Sequence, residues 1–291
     1  MIVLYSLGAL MPPLLLRPRW RGVAVSGVLF GGVLIWFLSL PPSNNRDWQP
    51  DLAVLPWAEI AGDKIVLHNV RNCDYRTETD FTCHYYNRGI DLAKLQTVDL
   101  FLAYWGSPHI AHTMLSFGFG EGATVCFSIE TRKEKGENYS AVKGFFRQYE
   151  KIYVMADERD LVRLRTNYRH EDVYLYRLKV APETVRKVFL GYLLEMNRLK
   201  EQPEWYNALT ANCTTSIRQH TVPYNPEARL DWRLVLNGYI DQMIYEQGLF
   251  SSELSFTALK EASYINEKAQ TADHSADFSQ LIRARLPILS D

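Results

Sequence analysis

In "TANCTTSIRQH", residues 210–220, a single cysteine stands between an asparagine and two threonines. With Asn212 as the cap, Cys213 falls in the first turn of an amphipathic helix: Ile217 follows it by four, while Thr214 and Arg218 take other faces. The unpaired amides of a first turn favour a thiolate over a thiol. The same amides, with Asn212 and Thr214 in support, suit an oxyanion. Such a thiolate does nucleophilic acyl chemistry when an imidazole is within reach. A lone cysteine is more often plain core, so the case depends on what else the chain offers.

Seven histidines are available as the base. His112 is the best placed, because it opens the alternating run "AHTMLSFGF". His109 follows Pro108 in a loop and suits substrate binding, as does Tyr206 in "EWYNALTANCTT". His220 is about two helical turns past Cys213, too far along the helix to touch the thiol. A third group must orient the imidazole, and Ser128 and Glu130 share a face of the next strand. Either fits; Glu130 is favoured because a carboxylate stabilises an imidazolium, although it can equally pair with Arg132 or another surface arginine. The His109/His112 pair is a weak metal signature with no completing carboxylate, so no metal and no cofactor are expected. The run "DERD", with Arg159 and Arg163, reads as a structural ion-pair cluster.

The elements that must hold these residues are strands first. "KIVLHNV" (64–70), "VDLFLAYWG" (98–106), "AHTMLSFGF" (111–119), "ATVCFSIET" (123–131), "KIYVMA" (151–156) and "DVYLYRL" (172–178) have strand composition, and the middle two alternate clearly. "GEG", 120–122, is the turn between those two. "PETVRKVFLGYLLEMNRLKEQP" (182–203) is the clearest helix, with Pro182 at its first position and an apolar stripe from Val185 to Leu199. The chain from Leu230 onward reads as helical, its last twenty-odd residues loosely ordered. The sum is an α+β fold, a mostly antiparallel sheet flanked by helices.

Residues 23–40, "VAVSGVLFGGVLIWFLSL", carry no charge, and eighteen such residues cover roughly the ~30 Å of a bilayer core. Arg17, Arg19 and Arg21 precede them and stay cytoplasmic by the positive-inside bias, which puts the remainder outside. No small-residue cleavage site follows, so an anchor is preferred to a signal peptide. Residues 2–16 are also apolar and offer a second span. In an oxidising compartment Cys73 and Cys83, either side of a polar turn, are a disulfide candidate, and Cys126 reads as a buried thiol. With 32 basic against 33 acidic residues and no basic stripe in the soluble part, nucleic acid is excluded as a partner. The 17 Tyr and 7 Trp fit work at a membrane or on amphipathic ligands.

Four separated motifs, "AHTMLSFGF", "CFSIETRKEKGENYS", "GFFRQYEKIYVMADERDLVRLRTN" and "EWYNALTANCTT", occur in an order that resembles the Lnb N-terminal periplasmic domain family, from about Asn45 to Tyr224. The resemblance implies a permuted papain-like fold of the NlpC and lecithin:retinol-acyltransferase kind, in which the histidine strand precedes the cysteine helix. It implies Cys213 as nucleophile, His112 as base, and Ser128 and Glu130 on the strand that supplies the third group. The family's namesake is implied to be a lipoprotein N-acyltransferase. On this basis residues 1–42 are a membrane anchor of one or two helices and 43–52 a linker. Residues 53–250 are a papain-like catalytic domain, and 251–291 a helical, loosely ordered tail. The expected function is a cysteine acyltransferase on the periplasmic side of the inner membrane, taking an acyl chain from phospholipid through a Cys213 thioester to an amine such as a lipoprotein or peptide N-terminus. The alternatives are an NlpC-type cysteine peptidase or amidase acting on cell-wall peptides, and a non-catalytic envelope binding module.

Overall fold

A computed structural model describes residues 11–120, 122–140, 142–225 and 230–287. The chain divides into two units, residues 1–43 and 44–291. In the first, a single helical turn, Pro12–Leu15, precedes helix α1, Arg19–Ser39. The apolar run has no helix breaker before Pro41, and α1 is long and apolar enough to cross a membrane. The first ten residues, which carry most of the expected second span, lie outside the described residues.

The second unit is built on one eight-stranded sheet. Its strands are β1 (Trp57–Ala61), β2 (Lys64–Tyr75), β3 (Phe81–Asp91), β4 (Leu95–Tyr104), β5 (Ala111–Phe119), β6 (Ala123–Arg132), β7 (Glu150–Ala156) and β8 (Asp172–Arg177). They run in the order β1-β2-β7-β6-β5-β4-β8, with β3 also paired to β2; every pairing is antiparallel except the single β2–β7 link. The β5–β6 turn holds Gly120 and Gly122, the latter at φ +76°, a backbone only glycine adopts freely. Glu121 between them lies outside the described residues. Cys73 pairs with Cys83 across β2–β3 and is joined to it by a disulfide.

Both faces of the central strands are covered, so nearly all residues of both sets on β5 and β6 are buried, polar ones included. One face, with Leu115, Phe117, Phe127 and Tyr153, packs against helix α3, Pro182–Glu201. The stripe Val185, Val188, Phe189, Tyr192, Leu193, Met196 and Leu199 is buried there, each side chain contributing about 1.5–3 kcal/mol. Helix α4, Cys213–Thr221, lies on the same side. The other face, with Met114, Cys126, Ile152 and Val154, is covered by helix α2 (Glu158–Arg163) and by the C-terminal chain.

Two boundaries differ from the sequence reading. The segment 43–52, predicted to be a linker, folds onto the domain from Asn44 onward: Trp48 and Leu52 are buried, and Trp48 bridges Glu134. The tail from 251 is helical as predicted, with α5 (Ile240–Glu246) followed by α6 (Phe256–Ala262), α7 (Asn266–Thr271) and α8 (Phe278–Leu281). It is not loosely packed, because Ile265, Ala269, Phe278 and Ile282 fill the second face of the sheet. Polar residues between them hid that periodicity.

Candidate active site

Cys213 opens α4 and is buried. Asn212 caps the helix: its Oδ1 accepts the Thr215 amide at 2.8 Å, Thr215 Oγ1 accepts the Asn212 amide at 3.0 Å, and Asn212 Nδ2 donates to the Ala208 carbonyl at 2.8 Å. The Asn212 side chain is therefore consumed in fixing the helix start. The oxyanion donor offered by this geometry is the backbone amide of Cys213, one of the first-turn amides that have no intrahelical acceptor. Thr214 is likewise a support, its hydroxyl on Thr113 Oγ1 at 2.7 Å and under Asn237 Nδ2 at 2.8 Å.

The histidine reaches the thiol because two strands part. The β5–β6 ladder ends at Met114–Ser128, so His112 and Glu130, next along on the same face, are not paired with each other, while each stays in register with its outer neighbour, Ala103 and Ile152. Ser128 Oγ meets His112 Nε2 at 2.6 Å and donates to Glu130 Oε1 at 2.6 Å; Glu130 Oε1 is itself 3.3 Å from Nε2. Nε2 is thus taken on the side of Ser128 and Glu130, and the His112 charge acts on the Cys213 thiol. Thr113 Oγ1 donates to Cys213 Sγ at 3.4 Å, and Asn237 Nδ2 lies 3.9 Å from it.

The charges of this chain are coupled. Burial pushes the Cys213 thiol up, but the His112 charge and hydrogen bond outweigh it and bring it down to about 6. Burial and the Arg165 charge push His112 down, but Glu130 and the Cys213 thiolate raise it to about 9. Glu130, despite burial, is held well below the carboxylate range by His112, Arg165 and Ser128. Between those limits the shifts favour a thiolate beside an imidazolium, the charge state that thiol nucleophilic chemistry requires.

Arg165 completes the set, and the sequence reading missed it. It lies on a π-helical turn, Leu164–Tyr168, that continues α2, and binds Glu130 at 2.9 Å and Glu171 at 3.0 Å. Such turns re-aim a side chain out of helical register, and periodicity does not reveal them. Thr113 and Asn237 were missed as well. Thr113 sits on the opposite face of β5 from His112, and Asn237 comes from a distant loop.

The remaining candidates are placed as follows. His109 is exposed on the loop before β5, with Nδ1 2.6 Å from the Tyr239 hydroxyl. Tyr206 is buried, its amide on the Tyr149 carbonyl at 2.8 Å, and its phenol is pushed up by burial and by the Cys213 charge. His220 bonds Tyr153 at 2.9 Å, away from the site. The "DERD" run is dispersed: Asp160 binds Arg71, Glu158 binds Arg283, and Arg159 and Arg163 bind Asp74. Among the described residues no group of three His, Cys, Asp or Glu is placed to hold a metal.

Residues 81–238 match the Lnb N-terminal periplasmic domain family, more than half of the chain. The matched stretch contains all the residues of this network, Asn237 included. No curated protein and no solved structure matches the chain.

Proposed function

The chain belongs to the Lnb N-terminal periplasmic domain family, and from that premise and the geometry of Cys213 we propose that it is a membrane-anchored thiol acyltransferase. The fold is read as permuted papain-like, since the histidine strand β5 precedes the cysteine helix α4 in the chain. The observation that carries the reading is the linked row Cys213–His112–Ser128/Glu130–Arg165, which lowers the thiol to about 6 while keeping a proton on the imidazole.

The Cys213 thiolate attacks the ester carbonyl of a phospholipid, forming the C–S bond, and the carbonyl oxygen takes its negative charge toward the Cys213 amide. The C–O bond then breaks, and the leaving lysophospholipid alkoxide takes the proton from His112. An amine, such as a lipoprotein or peptide N-terminus, attacks the thioester, and neutral His112 takes a proton from it. The C–S bond breaks, the amide leaves, and the thiolate–imidazolium pair is restored. Glu130 stays ionised throughout, with Arg165 holding it and Ser128 relaying to Nε2. The working place proposed is the periplasmic side of the inner membrane, with α1 as anchor.

Peptide hydrolysis at a cell-wall substrate uses the same row, and the acceptor decides between the two. Intact-mass measurement of the full-length protein incubated with phospholipid tests the reading. A rise by one acyl group that maps to Cys213, absent in Cys213→Ala and strongly reduced in His112→Ala, is expected. No adduct with phospholipid, alongside turnover of a muropeptide, would replace it with the hydrolase.

A further inference from the structure

Two loop banks flank the site. One pairs residues 105–111 with 230–239, through the Gly238 amide on the His109 carbonyl at 3.0 Å. They are pressed so closely that a Cβ on Gly238 would lie 2.2 Å from the Pro108 carbonyl oxygen. The other pairs 138–149 with 206–212, through the Ala208 amide on the Gly144 carbonyl and the Tyr206 amide on the Tyr149 carbonyl, at 3.0 and 2.8 Å. Asn237 of the first bank and Asn212 of the second both meet at the start of α4.

Each bank turns large apolar side chains outward. Trp232 and Val235 are 60% and 57% exposed on the first, and Val142 and Phe146 are 67% and 60% on the second. Leu236 and Phe145 accompany them, each more than four-tenths exposed. Among the described residues of this unit, Leu194, Tyr224 and Leu281 also pass four-tenths exposure elsewhere, with Leu254, Ile60 and Val66 just below it, but none of the others comes in such a group. Apolar surface left in water forgoes about 25 cal/mol per Å², and a cluster of it in one place marks a binding face.

What covers it follows from the chain. Asn44, where the domain begins, donates to the carbonyls of Leu199 and Lys200 and accepts from Arg132, two residues along β6 from Glu130. The chain thus joins the domain at the end of the sheet that holds the site. Five residue steps separate Ser39, the last residue of α1, from Asn44, an extended reach of at most roughly 18 Å. Once α1 lies in a bilayer, the chain can carry Asn44 no farther than this from the end of α1. Lys143 and Arg147 flank Phe145 and Phe146, the pairing of basic and aromatic groups that suits anionic headgroups.

We infer that the two banks dock on the bilayer itself, their apolar tips seated at the headgroup–acyl boundary on either side of Cys213. An ester carbonyl then meets the thiolate without its acyl chains leaving lipid. This deepens the acyltransferase reading by naming a lipid surface as partner, and its test reads contact rather than chemistry.

Hydrogen–deuterium exchange of the full-length protein is compared in nanodiscs of phosphatidylethanolamine with phosphatidylglycerol and in amphipol. Peptides covering 138–147 and 230–237 exchange about tenfold more slowly in nanodiscs, while peptides around 276–282 at the other end of the sheet do not change. Val142→Asp with Val235→Asp removes that protection although α1 still holds the protein in the disc. Val142→Ser with Val235→Ser serves the same purpose should the aspartates alter exchange at 276–282. Equal exchange of the wild-type banks in the two media, or protection unaffected in both variants, overturns the inference whether or not an acyl adduct forms.

Discussion

Cys126 and Cys213 are the two free cysteines of the sheet domain, and both are buried, on opposite faces of the same sheet. Burial lifts the Cys126 thiol well above its ordinary value, and nearby Glu158 lifts it further. Burial acts on Cys213 in the same sense, yet that thiol stands at about 6. The contrast extends to what lies behind each. Ser128, Glu130 and Arg165 form one row; Ser116, Glu158 and Arg283 form another. In the second row the guanidinium takes both oxygens of Glu158 and also binds Asp99, so its charge is spent internally. In the first, an imidazole stands between carboxylate and sulfur. Serine, carboxylate and arginine make a cluster in either place, and the first alone sets a histidine beside a thiol.

The largest effect expected is on the nucleophiles. Cys213→Ala lowers acyl transfer from vesicle phospholipid by about 10⁴-fold or more, while Cys126→Ala changes it by less than about twofold; a comparable loss in both variants would erase the contrast. His112→Ala follows, with thioester formation slower by about 10²–10⁴-fold in single-turnover assays. Next come the paired carboxylates. Glu130→Gln slows transfer by about 10²-fold with little change in melting temperature. Glu158→Gln leaves the rate per folded molecule intact but costs about 1.5 kcal/mol of stability, because the Arg283 guanidinium keeps Asp99 and loses one of its two carboxylate partners. The rate–pH profile is a bell. Activity rises through about 6 as the thiol ionises and falls through about 9 as His112 loses the proton the leaving group needs. In Glu130→Gln the upper limb moves down, since Glu130 is a main cause of the raised imidazole. The smallest effect is at the cap: Asn212→Ala costs about 1 kcal/mol and shifts the lower limb slightly upward.

The parts of this arrangement carried by local signals were legible in the sequence. Alternation marked β5 and β6 and so placed His112, Ser128 and Glu130 on one face, and the asparagine before Cys213 marked a helix start. Where the charge of Glu130 goes was not legible, because Arg165 arrives on a π turn and Arg132 instead binds Asn44 and backbone carbonyls. Thr113 was passed over for a related reason: its strand neighbour was sought for chemistry on one face, while α4 packs on the other. Asn237 meets Cys213 and Thr214 from beyond the end of α4, and the packing of 251–287 rests on contacts with distant strands and helices, which no periodicity encodes.

The central claim is that His112, and not exposure, activates Cys213. Its most direct test is the pH dependence of alkylation by iodoacetamide, followed at each cysteine by peptide mass spectrometry. Cys213 labelling should rise with a midpoint near 6 that moves upward by more than a unit in His112→Ala, with Cys126 unlabelled across the range in both proteins. A Cys213 midpoint at an ordinary thiol value, or one unchanged by the loss of His112, would contradict the account.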